Sequence, residues 1–249
     1  MKKVLFIFLL IISTNFILAE CLPIKNVNYN KVDTVGTKVV NYSSSNSDST
    51  VVINIDFPQI INFENAEIEK KVNLFLDEEF KQSIAWFDEL QTDSSYFLEF
   101  GTEMQFTFET GFQVEYNSKE FISIALSHYQ FTGGAHGNYF ALGYNILMKD
   151  GSVLSLKDII KDDSFDLLAF ECEQAILEKY EASSLIEAGL FEDEIEILDD
   201  QDFYIKPGVL VLQFDPYEIG PWVMGEVTAE IPFEKIKDIL KENLPFPTN

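Results

Sequence analysis

From residue 104 to residue 148 apolar and polar side chains alternate almost without a break, and a period of two restricts this stretch to β-structure. Met104, Phe106 and Phe108 share a face, which Phe112, Val114 and Tyr116 continue past Gly111. Asn117-Ser118-Lys119-Glu120 reads as a turn. Ile122, Ile124, Leu126 and His128 then fall on one side, with Phe121, Ala125, Tyr129 and Phe131 on the other. Residues 132–137 interrupt the pattern. Phe140, Leu142, Tyr144, Ile146 and Met148 form the returning strand, and Asp150-Gly151 ends it. Successive hairpins pair antiparallel, which rules out a doubly wound parallel sheet.

The flanks supply helices. Val51, Ile53, Ile55 and Phe57 alternate as a strand that Pro58 stops. Over residues 64–90 the period lengthens: Ile68, Val72, Phe75, Leu76, Phe80, Ile84 and Phe87 make one stripe, and Asn62 or Asn65 is the expected cap. Phe165, Leu168, Ala169, Cys172, Ala175 and Ile176 recur at helical spacing behind Ser164. Residues 209–214 and 222–231 read as strands, and Pro232 opens a closing helix carrying Phe233, Ile236, Ile239 and Leu240. The expected class is α+β: an antiparallel sheet with helices packed on one face, in two intimately packed halves.

Charge and the leader bound the setting. Lys2 and Lys3 precede an apolar run, Val4 to Ile12, and a small residue, Ala19, follows where a signal peptidase would cut. The run is too short to span a bilayer, so residues 1–19 read as a signal peptide and the protein as exported to the cell envelope or beyond. Residues 20–50, rich in Asn, Ser and Thr, read as a flexible tether. Leu18-Ala19-Glu20-Cys21 resembles a lipobox, with Glu20 departing from the usual small residue. Lipidation at Cys21 and soluble release after Ala19 both stand as readings; a lipid there is the only membrane contact expected. All 17 basic residues are lysines, against 42 Asp and Glu, for a formal net charge of -25. Such a field repels nucleic acid and favours encounter with cationic partners. Cys172 falls on an apolar helix face, so a disulfide to Cys21 is not expected.

Two segments carry candidate chemistry. Thr132-Gly133-Gly134-Ala135-His136-Gly137-Asn138 has glycines suited to positive φ. Strands flank it on both sides, so it is no phosphate cradle, which needs a helix N-terminus. His136 is read as a turn-stabilising hydrogen-bonder, with general base or metal ligand as the alternatives. The only other histidine, His128, lies at no metal-ligand spacing from it, so no metal or cofactor is expected. Asp215-Pro216-Tyr217-Glu218-Ile219-Gly220-Pro221-Trp222 is a proline-stiffened loop whose Tyr217 and Trp222 suit either interface anchors or plugs at the sheet end. The acidic runs 192–196 and 199–202 lack an EF-hand pattern and read as solvated surface.

The Tyr129–Asn138 stretch, Leu154-Ser155-Leu156-Lys157-Asp158, the segment from Phe203-Tyr204 to Pro221, and Ile231-Pro232-Phe233 follow one another in an order that resembles the paired extracellular module of RsiV-type lysozyme-sensing anti-sigma factors. The first half, 51–148, also resembles the accessory domain of PdaC-type peptidoglycan deacetylases, and 149–244 the second RsiV domain. The chain shows neither a sigma-binding segment nor a separate catalytic domain. The resemblance therefore implies a binding or sensing module, not a regulator or a deacetylase. Its expected partner is a cationic protein such as lysozyme, or peptidoglycan. Thr132, Gly133, Gly134, His136, Asn138, Tyr217, Glu218 and Trp222 are the candidate contact residues. The competing expectation is a cell-wall carbohydrate-acting enzyme using carboxylates and His136.

Overall fold

Alternation in the first half builds a six-stranded sheet in the order β1-β2-β3-β4-β5-β6: β1 (Gly36–Ser45), β2 (Val51–Ile61), β3 (Phe106–Asn117), β4 (Phe121–Phe131), β5 (Asn138–Leu147) and β6 (Ser152–Val153). The protein is a computed structural model that describes residues 34–46, 49–92 and 105–248, and the side chains of all of these but 86–92. The leader 1–19, Cys21, Met104 and the Phe87 end of the helical stripe lie outside that description. The described residues fall within a single compact unit, 31–249.

The fold is α+β, antiparallel-rich as expected, with three departures. The pair β2–β3 is parallel, because α1 (Ala66–Thr92) intervenes as a crossover. Residues 36–45, expected inside a flexible tether, form the edge strand β1 along the whole of β2. Tyr42 anchors it edge-on against Phe80 of α1, 5.8 Å between ring centres, a contact that a Ser- and Asn-rich composition does not advertise. The second half builds its own three-stranded sheet, β7 (Phe203–Lys206), β8 (Val209–Phe214) and β9 (Val227–Pro232), so the described residues form two sheets and not one.

The helix α1 follows its stripe. Val72, Leu76 and Ile84 are buried, and the Asn65 carboxamide oxygen caps the first turn by accepting from Glu67 N and Ile68 N. The Asn73 amide exchanges two hydrogen bonds with the Ile60 backbone, which fixes the helix on β2. This first core gathers Ile53, Ile55, Phe106, Phe108, Ile122, Ile124, Leu126 and Ile146. Tyr116 was expected to continue that face. A register shift between Val114 and Tyr116 turns it to the opposite side instead, where its ring meets Phe121 at 5.9 Å.

The second core lies under α3 (Phe165–Tyr180), joined by α2 (Leu156–Ile159), α4 (Leu185–Ala188) and α5 (Phe233–Ile236). Leu168, Cys172 and Ile176 face Ile205, Leu210, Leu212, Phe214, Ala229 and Ile231. Cys172 is a free, fully buried thiol whose pKa burial pushes up, so it is unreactive. Ser164 stands at the N-cap, but its hydroxyl bonds Asp163 and does not cap the helix. The strand expected over 222–231 is a 3-10 turn, Trp222–Met224, and only then β9; Gly225 at φ 76° breaks the extended run. Among the described residues no helix is long and apolar enough to cross a membrane.

The halves meet where β7 lands on the large sheet. β7 is an edge strand, and two of its backbone groups turn toward the face of β4 and β5. Ser123 and Asn145, opposite one another in the β4–β5 register, receive them: Ile205 N donates to Ser123 Oγ at 2.9 Å, and Asn145 Nδ2 donates to Phe203 O at 2.8 Å. Ser123 Oγ donates onward to Asn145 Oδ1 at 2.7 Å, so the two side chains and the two β7 backbone groups they meet are all paired. Gly143 makes the approach possible, since a β-carbon there would fall on the Phe203 carbonyl oxygen.

Candidate functional site

The two loops singled out in the sequence are brought together. Gly133 and Gly134 take φ of 95° and 94°, a conformation costly for other residues, and the tight turn they allow carries His136 outward. The His136 ring stacks on Trp222, with centres 4.0 Å apart and planes inclined by 22°. Tyr139, which follows the loop at the start of β5, meets Trp222 edge-on at 6.1 Å. Burial raises the Tyr139 phenol pKa, as does the charge of Glu226.

The other residues spread from this stack. Thr132 and Gly133 are half-buried, and Gly134, His136 and Asn138 are exposed. Tyr217 is 56% exposed and sits at φ 73°, held by its N–H donating to Gly220 O at 2.9 Å. Glu218 folds back on its own loop: its carboxylate accepts from Asp215 N at 2.8 Å and from Gln201 Nε2 at 2.9 Å. Trp222 is half-buried, and its indole N–H reaches no acceptor. Val223 beside it is 83% exposed. Tyr217 and Glu218 touch neither His136 nor the glycine turn in any ring contact or hydrogen bond, so they form the far flank of the surface.

Carboxylates line its rear. Asp202 accepts from Gly143 N at 3.3 Å, and Asp215 accepts from Ala141 N at 3.0 Å, so two acids cap the free edge of β5. Burial raises the Asp202 pKa to about 6 against the opposing pull of the Gly143 hydrogen bond, with the charges of Asp215, Glu218 and Asp200 adding to the rise. Asp215 is raised by burial and by Glu218, and Glu226 by burial and by Asp215. The sequence reading missed Asp202, Tyr139 and Val223. The first two sit at strand ends that alternation treats as ordinary, and only the meeting of the two sheets gives them a role.

The ring nitrogens of His136 differ in role. Its one hydrogen bond runs from Nδ1 to Gly137 O at 2.9 Å, and since a carbonyl only accepts, Nδ1 carries the proton. Among the described residues no group of three or more His, Cys, Asp or Glu is arranged to hold a metal ion.

Two families match this chain in tandem. The one described as Deacetylase PdaC matches residues 44–139, and the one described as a protein of unknown function, DUF3298, matches residues 157–234. The chain therefore has a PdaC-like segment followed by a DUF3298-like segment. The peptidoglycan-N-acetylmuramic acid deacetylase PdaC of Bacillus subtilis is 27% identical over 130 residues, covering 50% of this chain and 27% of that protein. The chain thus matches about a quarter of that relative's length. Two crystal structures of DUF3298 proteins share the fold, each with a TM-score of 0.67. The Bacteroides fragilis protein is 17% identical, with 86% of this chain and 96% of that one covered. The Pseudomonas aeruginosa protein is 18% identical, with 87% and 99% covered.

Proposed function

We propose that this chain is an exported cell-envelope binding module of the RsiV type, which engages a cationic protein through the 132–138 and 215–222 loops. The observation that carries this reading is the His136–Trp222 stack, which joins loops from the two matched segments into one surface. Exposed Tyr217 and Val223 flank half-buried Trp222, the arrangement of a rigid anchor ringed by accessible contacts. Behind it stand Asp202, Asp215 and Glu226, in a chain whose formal net charge is -25, so a basic partner is steered inward. The envelope setting rests on the leader with Lys2, Lys3 and Ala19 and on the cell-wall substrate in the relative's name. Anchoring through Cys21 belongs to the same proposal. Binding is favoured over catalysis because the stack presents His136 and Trp222 as one aromatic surface, while no other described side chain hydrogen-bonds the His136 ring to orient it for proton transfer.

Calorimetric titration of the chain from residue 31 onward with a basic lysozyme tests this. Binding is expected to weaken as salt rises, because screening shortens the field to about 8 Å at physiological ionic strength. Trp222→Ala and Tyr217→Ala are expected to cost on the order of 2 kcal/mol each while the circular dichroism stays unchanged. No binding at low salt removes the lysozyme reading, and binding indifferent to both variants moves the site off these loops.

A further inference from the structure

Strand register builds a second surface, which meets the loop rim at Tyr139 and runs away from it across the sheet. Ser43 of β1 lies opposite Asn54 of β2, Asn54 opposite Glu109 of β3, Glu109 opposite Tyr129 of β4, and Tyr129 opposite Tyr139 of β5. One side chain from each of these strands therefore stands in a single row across the sheet. Their chain neighbours Tyr42, Ile53, Ile55, Phe108 and His128 point into the first core or pack against it. The row itself lies on the face turned away from α1. Ser43, Asn54, Glu109 and Tyr129 are exposed and Tyr139 is half-buried. At the usual spacing between strands the row is about 19 Å long.

Its chemistry is graded. The β1 end offers a hydroxyl, a carboxamide and a carboxylate on short or exposed stems. The β5 end offers two aromatic rings. Tyr129 lies against Gly137, where a β-carbon would collide with its ring, and Tyr139 is braced edge-on by Trp222. Both rings are held before any ligand arrives, which lowers the ordering cost of binding. A pyranose has the complementary form, with an apolar C–H face to lie on a ring and a rim of hydroxyl groups to pair with amide and carboxylate. Charge narrows the class further. The only ionised group in the row is Glu109, and the chain is strongly acidic, so anionic polymers are repelled while O–H donors suit the carboxylate. A protein interface of this size would need a desolvated apolar centre, and the polar half of the row supplies none.

We propose that this row is a binding surface for a neutral saccharide chain of several pyranose units. The test is a titration of the chain from residue 31 onward with chitotetraose and with cellotetraose, followed by two-dimensional NMR and repeated at low and high salt. Saturable shifts confined to the row are expected with at least one tetrasaccharide. Affinity should be largely independent of salt and higher than for the corresponding monosaccharide, because only the longer chain covers the row. Tyr129→Ala should weaken binding about tenfold, as for the loss of one stacked ring. Asn54→Ala and Glu109→Ala, at exposed positions that leave the core intact, should each weaken it by a smaller factor. Val223→Ala, on the loop rim, should change nothing here, so failure of the protein-binding reading and failure of this one are separable. No saturable binding of either tetrasaccharide overturns the proposal. So does binding no tighter than that of a monosaccharide, or binding indifferent to both Asn54→Ala and Glu109→Ala.

Discussion

Around Ser123 and Asn145 the strands β4 and β5 are buried on both faces, by opposite means. Toward α1 the face is dry: Ile122, Ile124, Leu126 and Ile146 are fully buried among Ile53, Phe106, Val72 and Leu76. Toward the second sheet the same strands bury Ser123 and Asn145 completely, with Gly143 two residues along β5 from Asn145. The difference follows from what arrives on each side. A helix presents side chains, so apolar groups meet it and gain about 25 cal/mol for each Å² removed from water. The edge of β7 presents unpaired backbone N–H and C=O groups, and only polar side chains in register can satisfy them. Burial on the second face is therefore specified by hydrogen bonding and clearance, and on the first by volume.

The contrast predicts that the second face fails by collision and the first by cavity. Gly143→Ala is expected to have the largest effect, about 4 kcal/mol or more in urea unfolding, because the Phe203 backbone must move and the Asn145 and Asp202 hydrogen bonds go with it. Ile124→Ala on the dry face should cost about 3 kcal/mol, as usual for a buried aliphatic cut to a methyl. If the halves are one cooperative unit, both variants lower the same single transition; two separate transitions after Gly143→Ala would instead mean that each half folds alone.

Acid and base should act oppositely on the two faces. His128, on the dry side, stacks on Phe140 with centres 4.4 Å apart, and neither ring nitrogen has a partner. Burial lowers its pKa from 6.5 to about 4. Its contribution to stability is present above 6.5 and is lost as pH falls toward 4, a loss of roughly 3 kcal/mol. His128→Phe should flatten that limb of the stability–pH curve. Asp202 runs the other way. Its pKa rises from 3.8 to about 6, so its contribution is full below 3.8 and is lost as pH rises through about 6. Asp202→Asn keeps an acceptor for Gly143 and should stabilise the protein at pH 7 by about 2 kcal/mol, once screening by water is allowed for. Chemical denaturation between pH 4 and pH 8 measures both, and an unchanged curve in either variant contradicts the assignment. The smallest expected effect is the coupling of Ser123 and Asn145. A double-mutant cycle to alanine should return about 1 kcal/mol of interaction, against near zero for Ser127 with Asn145, which share no hydrogen bond.

The candidate site was legible in part. The glycine turn and the proline-stiffened loop announced themselves by composition, and the structure stacks His136 of one on Trp222 of the other. Their adjacency was invisible, since 85 residues of chain separate His136 from Trp222 and a second sheet folds between them. Asp202 looked like one more acid in a run of acids. Nothing local distinguishes it from Asp199 or Asp200, and its raised pKa comes from the burial that the second sheet imposes.

Local periodicity by itself determined the strands β2 to β5, the stripe of α1, the burial of Cys172 and the α+β class, because each follows from which neighbouring side chains can share one apolar face. The sequence also determined the sign of the surface charge. The tertiary structure alone decided that Gly36–Ser45 is a strand, since this mixed polar and apolar segment takes its order at the sheet edge from the backbone of β2. It alone decided that β2 and β3 run parallel, because direction depends on where α1 returns the chain. And it alone decided that Ser123 and Asn145 are buried, since the unpaired backbone groups that meet their side chains lie on a segment of chain about 60 to 80 residues away.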